Sequence, residues 1–182
     1  MPVTTSSQRG LDDNSSQPLD EIRALRSALG RYPTGVSVVS TQSPDGQVHC
    51  MTVNSFASLS LEPPLILWAL RTRSVRFETF VNCALFSINV LAESQVDLAR
   101  RHATPTRDAV DSHDWKGFLA GCPVVTGAVA QFVCRTDNQV QQGDHAIQIG
   151  EVIKFAEFER KPLLFMSGGY FAGSGLERIE YP

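Results

Sequence analysis

Two stretches of this chain carry side chains that could do chemistry, and the first covers residues 51–64. Hydroxyl and amide groups are crowded among apolar ones there: Thr52, Asn54, Ser55, Ser58 and Ser60 beside Val53, Phe56, Leu59 and Leu61. A buried hydroxyl needs a hydrogen-bond partner, and a surface loop rarely carries so much apolar content. Both facts fit the wall of a small-molecule pocket. A serine-rich turn between two strands is the alternative that composition leaves open.

The second stretch is Gly143-Asp144-His145, which directly precedes a segment with strand-like alternation. Histidine can donate hydrogen bonds or assist a proton or hydride step, and Asp144 could orient the imidazole. Taken alone, the tripeptide is more typical of a hairpin turn with an exposed histidine. The remaining histidines are interpreted as structural: His49 in a strand, His102 at a helix end and His113 in a polar loop.

The elements that must position these stretches follow from hydrophobic periodicity and turn residues. Residues 1–17 are rich in Ser, Gln, Asp and Gly and predict a disordered tail, with the folded domain over 18–182. Helices are predicted over 18–29, over 74–81 capped by Ser74, and from a cap at Ser94 to His102. A surface loop is predicted over 103–117, and Pro44-Asp45-Gly46 predicts a hairpin turn.

Strands are predicted over 36–41, 47–53, 65–70, 84–90, 124–135, 146–155 and 162–166, with a turn at 167–170. Gly127 lies inside one of them and suggests a bulge or a close backbone approach. About seven strands joined by hairpins, with three short helices, predict a mainly β (α+β) antiparallel barrel rather than a doubly wound sheet.

Composition excludes several classes of protein. A formal charge of −3 and the lack of a basic run argue against a nucleic-acid binder. Four separated cysteines without a Cys-x-x-Cys pair predict no metal site and a reducing cytoplasm. No apolar run approaches the roughly 20 residues of a membrane span. The glycine-rich nucleotide loops and the Gly-x-Ser-x-Gly motif of hydrolases are absent from the sequence.

Taken together, these residues resemble the flavin reductase family, the short-chain reductases of two-component monooxygenases with an FMN-binding split β-barrel. The resemblance covers about residues 20–172 and rests on an ordered set of motifs rather than on any single one. In order they are 32–36 entering the first strand, 52–60 with Pro63-Pro64, Ser74, 86–91, Gly143-Asp144-His145, and 162–164 leading to Tyr170.

The resemblance implies that NADH or NADPH delivers a hydride to FMN or FAD and that reduced flavin passes to a partner monooxygenase. It also implies a homodimer with the flavin near the subunit interface. The sequence leaves open the nicotinamide donor, the flavin and the oxygenase. A non-catalytic flavin carrier or sensor, or a flavin-dependent oxidase related to pyridoxamine-phosphate oxidase, is the alternative on the same barrel.

The resemblance further implies roles for individual residues. His145 would be the catalytic residue, meeting the nicotinamide over the flavin face, with Gly143 giving close approach. Ser74 at a helix N-terminus would bind the flavin phosphate with added charge from Arg71, Arg73 or Arg76, and Tyr170 would close the pocket. Arg76 departs from many relatives, which carry Ser or Thr there. The expected cofactor-binding set is Thr34, Thr52, Val53, Asn54, Ser55, Ser58, Leu59, Ser60, Arg71, Ser74, Arg76, Gly143, Asp144, His145 and Tyr170.

Overall fold

The computed structural model of this chain describes residues 19–103 and 115–177. The predicted tail over 1–17 and His113 lie outside these residues. Within the described ranges, no helix has the length and apolar character needed to cross a bilayer.

Twelve strands and three α-helices are formed by the described residues. The helices are α1 (Leu19–Leu29), α2 (Phe77–Val81) and α3 (Val96–Ala103). The strands are β1 (Thr34–Gly35), β2 (Ser37–Gln42), β3 (Val48–Val53), β4 (Ala57–Leu61), β5 (Pro64–Arg71), β6 (Leu85–Val90), β7 (Trp115–Leu119), β8 (Cys122–Val125), β9 (Ala130–Gln142), β10 (His145–Glu157), β11 (Leu163–Met166) and β12 (Gly169–Ala172).

Seven of these strands form one sheet in the order β3-β2-β6-β9-β10-β5-β4, and every pairing is antiparallel. A three-stranded sheet, β1-β11-β12, and the hairpin β7-β8 complete the fold. The predicted mainly β, antiparallel architecture is confirmed. Among the described pairings the edge strands β3 and β4 do not pair with each other, so the sheet is not closed by hydrogen bonds.

Turn chemistry sets the hairpins where the sequence places glycine. Gly46 adopts φ +85° in the predicted turn between β2 and β3, and its N–H donates to the Ser43 carbonyl oxygen at 2.9 Å. Gly143 adopts φ +59° as the first residue of the two-residue connection between β9 and β10. A positive φ at that position is typical of a type II′ turn, which suits the twist of paired strands.

The main core lies on one face of the large sheet and is built from five strands and α2. Its buried members are Val39, Val53, Ile66, Trp68, Leu70, Phe80, Phe86, Ile88 and Cys134. Trp68 is at its centre, with the Phe80 ring edge-on at 5.4 Å and the Phe86 ring at 6.0 Å. The core therefore draws on strands from both ends of the sheet.

A buried polar cluster attaches the β7-β8 hairpin to the sheet. Ser40 and Ser87 each donate a hydrogen bond to the Pro123 carbonyl oxygen, at 2.9 and 2.7 Å. The Asn89 amide accepts from the Val125 N–H at 2.9 Å and donates to the Val38 carbonyl oxygen at 3.0 Å. Because the cluster satisfies its buried donors and acceptors, β8 can lie over β2 and β6 without the cost of unpaired polar groups.

Several predictions about elements are wrong, among them the number of strands, since the described residues form twelve rather than about seven. The strand expected over 124–135 is divided into β8 and β9, because Gly127 takes φ +84° in the turn between them rather than in a bulge. Ser94 does not cap α3; it lies inside a 3-10 turn, Glu93–Gln95, that leads into the helix. Part of the loop expected over 103–117 is regular structure, since β7 begins at Trp115 and Ala103 ends α3.

None of the four cysteines forms a disulfide, and three of them are buried. Burial raises the pKa of the Cys122 and Cys134 thiols to about 12, and it also raises the pKa of Cys83. These side chains therefore act as small apolar residues in the packing.

Gly150 in β10 is required by close packing, and this generates a stability prediction. A Cβ at this position would lie 2.5 Å from Cζ of Phe86 and 2.9 Å from Cβ of Cys134. We expect Gly150→Ala to lower the free energy of unfolding by about 1–3 kcal/mol because the core is overpacked. Urea titration monitored by tryptophan fluorescence measures this change.

The matched control is Gly35→Ala, since a Cβ at Gly35 meets no atom within 4 Å. That substitution should change the free energy of unfolding by less than about 1 kcal/mol. Equal losses in the two variants would contradict the packing argument.

Candidate active site

A cavity of about 480 Å³ lies beside the ends of β3, β5, α3 and β10. Its wall is formed by residues 51–55, by Ala69, Arg71 and residues 73–76, by His102 and Ala103, and by His145. These segments are far apart in sequence, so the site depends on how the strands are paired. We call this space the main cavity.

The main cavity brings together eight of the residues that the sequence predicts for cofactor binding. They are Thr52, Val53, Asn54, Ser55, Arg71, Ser74, Arg76 and His145. The other predicted residues do not line it: Thr34, Ser58, Leu59, Ser60, Gly143, Asp144 and Tyr170.

The stretch 51–64 divides into a wall and an edge strand. Beyond the end of β3, the Ser55 hydroxyl donates to the Ala69 carbonyl oxygen at 3.1 Å and accepts from the Ala69 N–H at 3.0 Å. These two bonds hold the wall against β5. Residues 57–61 then pair with β5 as the edge strand β4, with a register shift between Ser58 and Ser60. Because pairing carries β4 along the sheet edge, Ser58, Leu59 and Ser60 lie away from the cavity.

His145 is placed by backbone pairing at the start of β10. It lies opposite Arg71 of β5, and the Thr72 N–H donates to the Asp144 carbonyl oxygen at 3.0 Å. A Cβ on Gly143 would meet no atom of the described chain within 4 Å, and the positive φ of this residue favours glycine in the turn. Close approach of a ligand at Gly143 stays a prediction. The turn therefore determines the direction of β10 at its start and, with it, the position of His145.

The His145 imidazole forms an ion-pair-length contact with the adjacent Asp144. Nδ1 of His145 lies 2.7 Å from the Asp144 carboxylate, and 37% of the His145 side chain is exposed. The hydrogen bond and the charge of His145 lower the pKa of Asp144, with a further contribution from Arg71. Asp144 thus orients the ring by holding Nδ1, which leaves Nε2 as the other nitrogen that can contact a ligand.

The arginine-rich part of the cavity wall lies in the segment before α2. The prediction that Ser74 caps this helix is wrong. The helix begins at Phe77, with Arg76 before it and no side-chain cap. Ser74 lies in the turn that follows Arg71, where its hydroxyl accepts from the Arg76 N–H at 3.3 Å. Arg76 is buried, and its guanidinium donates to the Cys50 carbonyl oxygen. Arg71 and Arg73 are exposed at the cavity.

His102 is a cavity residue that sequence reasoning missed. It lies in the last turn of α3, where the sequence places a histidine favoured by the helix dipole, but it is only 6% exposed. Its Nδ1 lies 3.2 Å from the Cys50 sulfur. The spacing of Val96, Ala99 and His102 along one helix face is the signal that could have indicated burial.

A smaller cavity of about 160 Å³ adjoins the main one. It shares Thr52, Val53, Asn54 and Ala103 with the main cavity and adds Val36, Phe165 and Tyr170. Tyr170 belongs to β12 rather than to the predicted turn, which consists of Ser167 and Gly168. Thr34 lines neither space, and its buried hydroxyl has no hydrogen-bond partner among the described residues.

The chemistry of the main cavity suits a flavin nucleotide. Met51, Val53, Ala69 and Val75 offer apolar surface to a flat ring system, and hydroxyl and amide groups lie between them. Guanidinium groups follow at one end and match the charge of a phosphate. In the described ranges, no group of three His, Cys, Asp or Glu side chains is placed to hold a metal ion.

Comparison with known proteins gives the same class. The model of the flavin reductase like domain matches residues 29–174, so the chain belongs to this family. The chain is 44% identical over 149 residues to the FMN reductase (NADH) SmoA of Agrobacterium fabrum, covering 82% of this chain and 84% of that relative. The resemblance drawn from the sequence motifs is confirmed.

Two further relatives add detail. The reductase component of the flavin-dependent trigonelline monooxygenase of Acinetobacter baylyi is 39% identical, and the match covers 84% of this chain but 49% of that longer relative. Among solved structures, the NADH:FAD oxidoreductase SgcE6 of Streptomyces globisporus, in complex with NAD and FAD fragments, superposes with a TM-score of 0.77. It is 34% identical, with 87% of this chain and 96% of that chain covered.

The contact between Asp144 and His145 generates a titration prediction. The Asp144 carboxyl should titrate below its ordinary value of 3.8, so its small stabilising effect is present at higher pH and is lost as the pH falls through the lowered pKa. In His145→Ala the pKa of Asp144 should return toward 3.8, as followed by NMR of the side-chain carboxyl.

Asp45 is the internal control, because its pKa is lowered chiefly by a hydrogen bond from Ser43. Its titration should be the same in both proteins. An Asp144 titration that is unaffected by His145→Ala would show that the imidazole does not hold this carboxylate in solution.

Proposed function

We propose that this protein is an NAD(P)H:flavin oxidoreductase that reduces FMN or FAD for a partner monooxygenase. One observation supports this proposal most directly. A single cavity is lined by three segments that are separate in the sequence: the 51–55 wall, the Arg71–Arg76 segment and His145. The family match and the NADH-dependent flavin reductase named among the relatives support the same reaction.

The chain's own residues have separate tasks in this proposal. Met51, Val53 and Ala69 hold the flat ring system by apolar contact, while Thr52, Asn54 and Ser55 orient its polar edge. Ser74 and Arg71 bind the phosphate, where a hydroxyl and an exposed guanidinium are available to an anion. Bound flavin supplies the acceptor for the hydride that the nicotinamide donates.

His145 positions the nicotinamide nucleotide. With Nδ1 engaged by Asp144 at 2.7 Å, Nε2 is the nitrogen that can hydrogen-bond the incoming donor. The backbone bond between Thr72 and Asp144 keeps the histidine at the same edge as Arg71. Holding two reactants in one orientation is the main contribution that a protein makes to a hydride step carried by cofactors.

The proposal also covers the type of barrel, the cellular compartment and the partner protein. We infer a split barrel, because strands toward both ends of the seven-stranded sheet, β3 and β5, contribute side chains to the main core. Four cysteines without a disulfide favour the reducing cytoplasm. The name of the Acinetobacter relative as a reductase component favours a monooxygenase as the partner.

We also propose a homodimer. The outer face of β5, β10 and β9 carries apolar side chains in register: Ile147 opposite Ala69 and Val140, and Ile149 opposite Leu67. Val140 is 45% exposed, and the other four are partly exposed in the single chain. This face continues directly from Arg71 and His145, so a second copy seated on it would adjoin the cavity.

The activity is tested by following NADH and NADPH oxidation at the nicotinamide absorbance band with and without FMN, FAD or riboflavin. We expect oxidation that requires added flavin and saturates with it. An enzyme that keeps a yellow flavin through turnover would instead indicate an oxidase. Tight flavin binding without oxidation by any pair would indicate a carrier or sensor and would refute the reductase.

His145→Ala tests the assignment of the donor site. We expect kcat/KM for NADH to fall about ten- to hundredfold, the cost of one strong hydrogen bond lost in the transition state. The dissociation constant for flavin should be unchanged. His49→Ala is the matched control, because His49 lies on β3, contacts Ser43 at 3.1 Å and does not line the cavity. Wild-type kinetics in His145→Ala would remove the role given to this histidine.

A further inference from the structure

Two side chains on the core side of the large sheet carry polar atoms that the packing leaves unpaired. Nε1 of Trp68 and both amide atoms of Gln148, Oε1 and Nε2, are buried and have no hydrogen-bond partner among the described residues. The two residues are 0% and 1% exposed. Native proteins satisfy nearly all buried polar groups with protein atoms or with ordered water, because an unpaired group loses its hydration without compensation. These three atoms therefore require a partner.

The strand pairing brings the three atoms to one part of the core. Trp68 of β5 lies directly opposite Gln148 of β10 in the antiparallel register. Side chains of directly opposite residues point to the same face of a sheet, and their Cβ atoms are about 5 Å apart. The indole and the amide are therefore neighbours in the core, although no direct hydrogen bond joins them.

The surroundings supply no better partner among the described residues. The Phe80 ring lies edge-on to Trp68 at 5.4 Å and offers only carbon atoms. Gln139 of β9 lies opposite Gln148 on the other side, but its amide nitrogen donates to the Val81 carbonyl oxygen at the end of α2. None of these side chains carries the charge that a buried ion would need. The site therefore suits a small neutral ligand that can both donate and accept a hydrogen bond.

Water has this hydrogen-bonding capacity. The indole N–H and the Nε2 group donate, whereas Oε1 accepts. One water molecule can accept from Trp68 and donate to Oε1 of Gln148, and internal waters typically form about three such bonds.

We propose that a single buried water molecule binds between Trp68 and Gln148 and links β5 to β10 inside the core. The same register places Arg71 opposite His145 at the ends of these two strands. The water thus joins, from the core side, the strands that carry these two residues to the main cavity. The water site is independent of the proposed function, because it rests on the burial and pairing of core residues.

The test is NMR of contacts between water and the full isotope-labelled chain. We expect a cross-peak between water and the indole N–H proton of Trp68, with the sign of dipolar contact rather than of chemical exchange. The chain contains two tryptophans, so loss of the signal in Trp68→Phe assigns it. In a crystal structure, the same water should lie about 3 Å from Nε1 and from the Gln148 amide.

Gln148→Met removes the amide with little change in side-chain volume. We expect the water cross-peak at Trp68 to disappear and the equilibrium constant for unfolding to rise about tenfold in urea titration, because the indole N–H is then left unpaired. Gln139→Met is the matched control, since Gln139 is the same residue type on the neighbouring strand but is exposed. This control should keep the cross-peak.

The opposite results would overturn the water site. Without a water contact in the wild-type protein, a less stable Gln148→Met would indicate a direct bond between the two side chains in solution. A more stable Gln148→Met would instead indicate an amide buried without any partner. A cross-peak that persists in Gln148→Met would show that the amide does not hold the water. If Gln148→Met fails to fold, the wild-type cross-peak and the position of the crystallographic water decide the proposal.

Discussion

The antiparallel register between β5 and β10 is the constraint on which the candidate active site depends. It sets His145 opposite Arg71, and the bond from the Thr72 N–H to the Asp144 carbonyl oxygen fixes the end of that pairing. A slip of one residue would turn His145 toward the core and expose Ala146, because side chains alternate between the two faces of a strand. The same register aligns the apolar outer face through Ile147 and Ile149. Gly150 of β10 also lies within this pairing, and only a residue without a Cβ fits beside Phe86 there.

Much of the fold could be predicted from local pattern. The β-branched run that became β2 and the period-2 alternation that became β10 were both located to within one or two residues at their starts. The errors have physical causes. Gly127 suggests a bulge or a close backbone approach in the sequence, whereas it turns the chain, because a positive φ leaves no trace in the apolar alternation around it. Ser74 and Ser94 each fit a cap in sequence, yet the turns before α2 and α3 place them outside the capping position.

The candidate site was predicted in part. Residues 52–55 and His145 were identified through their polar groups and motif, and the structure places them together. Ser58 and Ser60 carry the same chemistry, but pairing with β5 decides their position, and that pairing is not local. His102 was missed for the opposite reason: its residue type fitted a simple helix-end role, and only packing of α3 against β3 brings it to the cavity. The smaller cavity joins Val36, the end of β3 and the strands β11 and β12, which no sequence window contains.

The burial of the cysteines has a consequence for the resistance of the protein to oxidation. Reduced flavin reacts with oxygen to give hydrogen peroxide, so a flavin reductase works beside the oxidant that its own product can generate. Peroxide attacks the thiolate, and a thiol whose pKa is about 12, as at Cys122 and Cys134, has almost no thiolate at neutral pH. Packing that serves the core thus also makes these sulfurs poor targets. Inactivation during long turnover should then begin at side chains other than these two cysteines.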